Sequence, residues 1–191
     1  QNIECSSDFK AMIFLELVPR DLAQLSQEAR QSLDNYPELT GINIPDIKRV
    51  AHRSYDAAHY LASQNITAIP HIRTKDNTIA EHRKMLEKLI AGGVKQVLLV
   101  TGDNFGDSRS HVSPIELTTF IKSTFPSLKV YGALDPYRQD FDKEVAYANQ
   151  KLAAGMDGLF TQPFFDESLL TTYLETFQST ELFIGLAPVI A

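Results

Sequence analysis

The chain has 191 residues, of which 43% are apolar and 22% charged, and 18 basic against 24 acidic residues give a formal net charge of −6. These values are typical of one globular domain and exclude a mainly disordered chain, because apolar residues are plentiful and the net charge is modest. No apolar run approaches the ~20 residues that a membrane-spanning helix needs. No stripe of Lys and Arg indicates a surface for nucleic acid. Neither a membrane nor a nucleic acid is therefore expected as a partner.

The cysteine content bears on the compartment. The one cysteine, Cys5, cannot form a disulfide within the chain, and the first residues are too polar for a secretory signal. Both features favour a reducing environment, and we expect a cytoplasmic protein.

Short apolar runs alternate with amphipathic stretches along the chain. The first run predicts a strand, the next stretch has apolar residues at helical spacing, and the pattern repeats up to a final apolar run. The predicted strands are Ala11–Val18, Gly41–Pro45, Thr67–Ile72, Gln96–Val100, Lys129–Leu134, Gly158–Phe165 and Leu182–Ile190. The predicted helices are Asp21–Asn35, Ser54–Ser63, Thr78–Ala91, Ser113–Phe125, Phe141–Ala154 and Glu167–Phe177.

Local signals support several of these helix ends. Ser113 at the N-cap, Pro114 in the first turn and Glu116 at the third position form a helix start. Ser54 is likewise expected to cap the second helix. The pair Gly92-Gly93 is a typical helix stop.

Regular alternation of strand and helix implies right-handed crossovers and a parallel sheet covered by helices. A doubly wound open sheet and a (β/α)8 barrel both fit. Polar residues recur at the carboxyl ends of the predicted strands, namely Glu16, Asp46, His71, Asp103, Asp135 and Gln162. In a barrel all of these ends meet at the one face that carries the chemistry, and no glycine-rich nucleotide motif favours the open sheet. We expect a TIM-like (β/α)8 barrel, as a single domain over residues 1–191.

This barrel is one strand short, because a complete one needs eight strands and about 200 residues or more. We therefore expect an incomplete barrel, with strands one to seven present and the last helix, strand and helix missing.

Glu16 and Asp103 are the candidate catalytic carboxyls. Glu16 lies within an apolar strand, where burial in a barrel raises a carboxyl pKa and produces a candidate general acid. An ion pair with a neighbouring Lys or Arg is the alternative. Asp103 follows Thr101 and Gly102, and glycine lets a backbone approach a ligand closely. An ordinary turn stabilised by the aspartate side chain is the alternative there.

The remaining strand-end residues suggest recognition of a ring. The amide of Gln162 both donates and accepts hydrogen bonds, which suits the edge of a heterocycle. Phe164 and Phe165 offer flat apolar area for stacking, although we expect at least one of them to pack in the core. His71 sits beside apolar residues, where a packed core histidine is the common case.

Metal binding is a further alternative. The five histidines show no zinc-like spacing, and we expect no metal. A metal-dependent aldolase or hydrolase barrel with Asp46, Asp103 and Asp135 as ligands nevertheless stays open.

Several segments in order resemble the methylenetetrahydrofolate reductase family. They are Phe14–Arg20 (FLELVPR), Pro70–Asp76 (PHIRTKD), Gly92–Asp103 (GGVKQVLLVTGD), Ala153–Asp166 (AAGMDGLFTQPFFD) and Ile184–Val189 (IGLAPV). The resemblance implies a (β/α)8 barrel that holds FAD noncovalently and uses NAD(P)H to reduce 5,10-methylenetetrahydrofolate to 5-methyltetrahydrofolate. Hydride would pass from the nicotinamide to flavin N5 and then to the folate methylene carbon.

The resemblance also implies roles for residues. Glu16 matches the general acid that protonates folate N10, and Asp103 matches a carboxylate near the flavin that disfavours its anionic reduced form. Gln162 and Phe164 match the substrate site, with Gln162 at the pterin. The positions matched to cofactor binding are His71, Thr101, Asp103, Ala133, Asp135, Glu144 and Lys151, of which Lys151 would face the FAD phosphates or ribose.

The chain departs from the family pattern in two loops. The family commonly has a Thr-Tyr-Gly segment after the second strand, where this chain has Asn43–Asp46. It often has Tyr-Pro-Glu-x-His after the fifth strand, where this chain has Ala133–Arg138. A second hypothesis is therefore a barrel of the same ancestry that binds folate or flavin and serves a methyl-transfer complex. The expected small-molecule partner is a folate, and assembly into a homo-oligomer is left open.

Overall fold

A computed structural model describes residues 12–102 and 110–187 of the chain. Over these ranges strands and helices alternate. The strands are β1 (Ile13–Glu16), β2 (Leu39–Ile44), β3 (Ala68–Arg73), β4 (Gln96–Val100), β5 (Lys129–Leu134), β6 (Gly158–Thr161) and β7 (Glu181–Phe183). The α-helices are α1 (Leu22–Asn35), α2 (Ser54–Ala62), α3 (Ile79–Ala91), α4 (Pro114–Thr124), α5 (Phe141–Ala153) and α6 (Glu167–Thr176), and a short 3-10 turn spans Thr74–Asp76.

The strands form one parallel sheet in chain order, from β1 at one edge to β7 at the other. The sheet is strongly curled. Phe14 on β1 and Phe183 on β7, at opposite ends of the strand order, lie 5.7 Å apart between ring centroids. Seven described parallel strands with six helices around the outside form an incomplete TIM-like barrel, as the sequence predicts.

Polar side chains cap four of the helices, because the first backbone N–H groups of a helix have no partner within it. Each capping oxygen accepts a hydrogen bond from an N–H three residues further on. At the start of α3, Thr78 and Glu81 form a full capping box. The capping residues are Asp21, Thr78, Ser113 and Asp166.

The expected serine cap of α2 is wrong. Arg53 occupies the N-cap, and Ser54 is the first helical residue. The Asp46 carboxylate accepts the backbone N–H of Ser54, so a residue beyond β2 performs the capping. The Ser54 hydroxyl is thereby left to donate to the backbone carbonyl of His71.

Strands β6 and β7 end well before their predicted ends. β6 stops at Thr161, because Pro163 follows and cannot donate to a strand ladder. β7 stops at Phe183, and the N–H of Gly185 donates to the Thr161 hydroxyl instead of to a strand. The end of that predicted strand, residues 188–190, lies outside the described residues.

Two apolar layers flank the sheet. The outer layer packs the helices against the strands and contains most of the fully buried aliphatic side chains. The inner layer is smaller and largely aromatic, and it fills the hollow of the curled sheet. Its members are Phe14, Ile69, Leu98, Val100, Tyr131, Phe160 and Phe183. The ring pairs in this layer lie 4.2 to 6.1 Å apart, so it forms a packed floor.

None of the described helices is long and apolar enough to cross a membrane.

Candidate functional site at the carboxyl ends of the strands

The candidate site lies directly above the aromatic floor. Side chains two residues apart on a strand share a face. Glu16 therefore follows Phe14 on the inner face of β1, His71 follows Ile69 on β3, and Ala133 follows Tyr131 on β5. The fold thus brings Glu16 and His71 to one mouth of the barrel, where barrel enzymes carry their chemistry.

Asn43 joins these two residues across three neighbouring strands. Its amide Nδ2 donates to Glu16 Oε2 over 3.3 Å, and its Oδ1 lies 3.0 Å from Nε2 of His71. Asn43 is 8% exposed and is the direct strand partner of Glu16. The inner wall over β1, β2 and β3 is therefore a continuous hydrogen-bonded chain of carboxyl, amide and imidazole.

The protein environment raises the pKa of the Glu16 carboxyl. Desolvation is the main cause, and the hydrogen bond from Asn43 acts in the opposite direction. The residue as a whole is exposed at the strand end, yet its carboxyl loses enough water to favour the neutral form. Glu16 therefore holds its proton more readily than an ordinary glutamate.

His71 is uncharged at neutral pH. Burial lowers its pKa to about 4, and the negative charge of Asp46 only partly offsets this effect. The strand end that carries His71 is fixed by the hydrogen bond from Ser54 to its carbonyl. The imidazole is therefore a neutral hydrogen-bonding group in a fixed position.

Asp46 is committed to an internal ion-pair cluster. Its carboxylate accepts from Arg53 and from the backbone of Ser54, and Arg53 also reaches Asp76 at 2.8 Å. Lys48 lies 3.5 Å from the same Asp76 carboxylate. Asp46 and Asp76 are buried, so this cluster fastens the loop after β2 to the end of β3.

The proposed metal set is not assembled in the described part of the chain. Asp46 has the partners just given, and the Asp135 carboxylate accepts the backbone N–H of Tyr137. Asp103, the third member, lies outside the described residues. Over residues 12–102 and 110–187 no three His, Cys, Asp or Glu side chains are placed to hold a metal ion.

The β4 end presents Thr101 and Gly102, both half-buried. Gly102 has φ of +85°, which favours glycine, and a Cβ there would come 2.9 Å from the Arg73 guanidinium carbon. Arg73 is 6% exposed and bonds to Asp76. The backbone of Gly102 therefore lies against a buried guanidinium at the edge of the mouth.

Glu144 organises the loop after β5. It is wholly buried, although it belongs to the first turn of α5, and it accepts hydrogen bonds from the backbone N–H of Asp135 and the side chains of Arg138 and Gln139. Its role as a cofactor contact stays a prediction. What the structure adds is that Glu144 holds Arg138, which remains 42% exposed, at the rim.

Lys151 lies between α5 and β5. It is 2% exposed, its ammonium donates to the carbonyl of Ala133, and it stands 4.1 Å above the ring of Tyr147. Desolvation lowers its pKa to about 8, against the attraction of Glu144. The predicted contact of Lys151 with FAD phosphates stays a prediction. The Arg138 guanidinium, 5.0 Å from the same Tyr147 ring, is the more exposed cation nearby.

The two phenylalanines in the segment after β6 lie in different environments. Phe164 packs against Tyr173 of α6 with ring centroids 5.6 Å apart. Phe165 is 79% exposed, its N–H donates to the Tyr137 hydroxyl, and the two rings lie 6.0 Å apart. Gln162 is exposed and its backbone N–H bonds to the Leu134 carbonyl. The exposed aromatic pair therefore consists of Tyr137 and Phe165, whereas Phe164 is partly buried against the α6 cluster. The predicted contact of Phe164 with the substrate stays a prediction.

Sequence reasoning missed Asn43, which the structure places between Glu16 and His71. For Asn43 a signal was present, because it is the one amide in the otherwise apolar run Gly41–Pro45. A polar residue inside a buried strand needs a partner, which points to a neighbouring polar strand residue.

Comparison with protein families gives a match over most of the chain. The family model described as methylenetetrahydrofolate reductase matches residues 23–191. The match begins after β1 and does not include Glu16. The place of Glu16 in the site therefore rests on the geometry of the barrel.

Solved structures share the fold at low identity. An uncharacterized protein from Clostridium thermocellum that binds two copies of 5-methyl-5,6,7,8-tetrahydrofolic acid is 14% identical with a TM-score of 0.63, over 94% of this chain and 64% of that one. A 2,3-dimethylmalate lyase has a TM-score of 0.69 at 12% identity, over 95% of this chain and 69% of that one. A putative deoxyribose-phosphate aldolase from Toxoplasma gondii has 0.60 at 11%, over 93% and 77%.

These structural likenesses support the barrel architecture only, since all three identities are below 25%. The family match over residues 23–191 is of a different kind, because it follows the sequence itself. It confirms the resemblance found in the strand-end motifs, and the chain belongs to the methylenetetrahydrofolate reductase family.

Proposed function

We propose that the protein is a flavin-dependent oxidoreductase that reduces 5,10-methylenetetrahydrofolate to 5-methyltetrahydrofolate with NAD(P)H. The observation that carries this proposal is the Glu16 carboxyl at the barrel mouth, with a raised pKa and a single amide partner. A carboxyl whose pKa is raised holds its proton more readily than an ordinary one, and opening of the folate ring requires such a proton donor as general acid. The family match and the folate named for the Clostridium protein support this choice of substrate.

The residues at the mouth fit an FAD molecule. The wall offers uncharged hydrogen-bonding groups, Asn43 and His71, and the floor beneath is closed by aromatic rings. A flavin ring is flat and largely apolar with polar edges, so this combination suits it. Arg138, held by Glu144 and 42% exposed, supplies a cation for a diphosphate. When bound there, FAD would accept hydride from the nicotinamide and deliver it to the folate.

The described residues then have the following proposed roles. Glu16 donates its proton to folate N10, the bond between N10 and the bridging methylene carbon breaks, and the ring opens to an electrophilic iminium. His71, Thr101 and Ala133 line the cofactor side, and Arg138 takes the phosphates. Asp135, Glu144 and Lys151 hold the β5 end in position through their bonds to Tyr137, Arg138 and Ala133 respectively. Asp103 keeps its proposed electrostatic role near the flavin, although it lies outside the described residues.

We assign the substrate contacts to the segment after β6. Gln162 is exposed and can use both ends of its amide on a pterin edge. Phe165 and Tyr137 form a flat exposed surface beside it. We propose that Phe165, rather than the packed Phe164, stacks on the substrate.

A titration tests this function directly. The purified protein is mixed with FAD, and flavin absorbance is followed before and after NADH or NADPH is added without oxygen. We expect bound flavin whose visible absorbance disappears with the nicotinamide and returns with 5,10-methylenetetrahydrofolate. A protein that does not bind FAD would contradict the proposal. Arg138→Met should weaken FAD binding, while the exposed Lys143→Met serves as a matched control.

An aldolase or lyase activity is the second candidate, favoured by the lyase and aldolase among the structures of similar fold. The same titration separates the two, because a barrel lyase needs no flavin. Cleavage of a carbon–carbon bond by a colourless protein would favour the alternative. A cytoplasmic location belongs to the proposal and agrees with a chain that has one cysteine.

A further inference from the structure

We propose that Asn43 is a positioning residue for Glu16. Its amide joins the Glu16 carboxyl to the His71 imidazole, and it thereby sets the orientation of the carboxyl and the tautomer of the imidazole. The catalytic meaning of this inference rests on the proposed function. The hydrogen-bond chain itself does not, and it can be measured without flavin or folate.

The geometry leaves Asn43 little freedom. Its Cα pairs with Glu16 on one side and with Ile69 on the other, and its carbonyl accepts the N–H of Leu17 at 3.0 Å. The side chain is buried between its two partners, 3.3 Å from Glu16 and 3.0 Å from His71. A strand residue held on both sides in this way presents its amide at a fixed height in the barrel wall.

The chemistry of the three groups sets the polarity of the chain. The carboxylate form of Glu16 only accepts, and the protonated form still has a carbonyl oxygen that accepts, so in both forms the Asn43 NH2 can face Glu16, as the structure places it. The amide oxygen then faces His71 and requires a donor. Because the His71 ring is neutral and carries one proton, that proton must lie on Nε2. The Nδ1 atom is left as an acceptor.

Asn43 thereby adjusts how readily Glu16 releases its proton. Desolvation favours the neutral carboxyl, and the amide donor favours the carboxylate. These two are the influences on Glu16 from the described residues. The charge that faces His71 is Asp46, which is itself paired with Arg53. Without the amide, Glu16 would keep its proton to higher pH and would give it up less easily.

The test replaces Asn43 by Leu, which has similar size and no hydrogen-bonding group, and titrates the Glu16 side-chain carboxyl carbon by NMR. We expect the midpoint of the Asn43→Leu variant to rise by about one pH unit, because a hydrogen bond to a charged group is lost. Asn43→Asp, nearly isosteric with the native residue, should raise it further through like-charge repulsion. Asn149→Leu on the exposed face of α5 is the matched control and should leave the midpoint unchanged.

A second measurement addresses the tautomer. Nitrogen NMR of the native protein should show His71 protonated on Nε2, and Asn43→Leu should lose that preference. An unchanged Glu16 midpoint in both Asn43 variants would overturn the inference. If the midpoint moves but the protein reduces no folate, the proposed function fails and the positioning role stands. If folate is reduced, the pH profile of that step should move with the NMR midpoint in Asn43→Leu.

Discussion

Phe14 and Phe183 meet across the hollow of the sheet, with ring centroids 5.7 Å apart, although they belong to the first and last described strands. This contact shows how far the sheet curls. It also explains why polar groups at several strand ends converge, since each lies one inward-facing position above this aromatic layer. Predictions about the site therefore concern residues that the curl brings together and the loops that hold them.

Substitution of Lys151 tests the buried ammonium. Its pKa is lowered to about 8 in the folded protein against an ordinary 10.5, so the unfolded chain binds the proton more tightly. The resulting penalty is present in full below pH 8 and disappears as the pH rises toward 10.5. The free energy of unfolding of the native protein should thus rise over this range, relative to Lys151→Met, by up to about 3 kcal/mol.

Chemical denaturation at several pH values measures this difference. Lys143→Met removes an exposed lysine of the same helix and should stay parallel to the native protein throughout. A constant gap between the native protein and Lys151→Met would show that the ammonium is not desolvated.

Glu144→Gln tests the organisation of the loop after β5. The substitution keeps the shape of the side chain but removes the charge that three donors share. Because hydrogen bonds to a buried charge are strong, we expect a loss of about 2 kcal/mol in the free energy of unfolding. Asp142→Asn, exposed in the same helical turn, should cost little. Equal effects of the two changes would contradict the role of Glu144.

The neighbours Phe164 and Phe165 should respond in opposite ways. Phe164→Ala removes a ring from the α6 core and should lower the free energy of unfolding by about 2 to 3 kcal/mol. Phe165→Ala removes an exposed ring and should leave stability nearly unchanged, while folate affinity falls about tenfold through lost stacking. Thermal melts and a binding titration measure both. Loss of folate affinity confined to Phe164→Ala would reverse the assignment.

The order and type of the elements could be predicted because hydrophobic periodicity, caps and turn glycines all agree. The expectation that polar residues at the carboxyl ends of the strands meet at one face correctly placed Glu16 and His71 at one mouth. It says nothing about which polar residue bonds to which, because that depends on register between strands distant in sequence. The Glu16–Asn43 bond comes from the pairing of β1 with β2, so neither segment alone identifies the partner.

Sequence reasoning also did not predict that two charged residues are buried. Lys151 and Glu144 both lie on an amphipathic helix, where charged residues are expected on the solvent side. Both are buried because the β5 end and its loop supply partners for them. Such partners come from tertiary structure, so periodicity could not predict these positions.

The most direct test of the proposed catalysis compares the two half-reactions in Glu16→Gln. Rapid mixing of the FAD-loaded protein with NADH, and of the reduced protein with 5,10-methylenetetrahydrofolate, measures each separately by flavin absorbance. Glu175→Gln, an exposed glutamate on α6, is the control. We expect Glu16→Gln to be reduced by NADH at the native rate and to transfer hydride to folate about 10²- to 10⁴-fold more slowly, because the general acid is missing. A Glu16→Gln protein that reduces folate at the native rate would contradict the central claim.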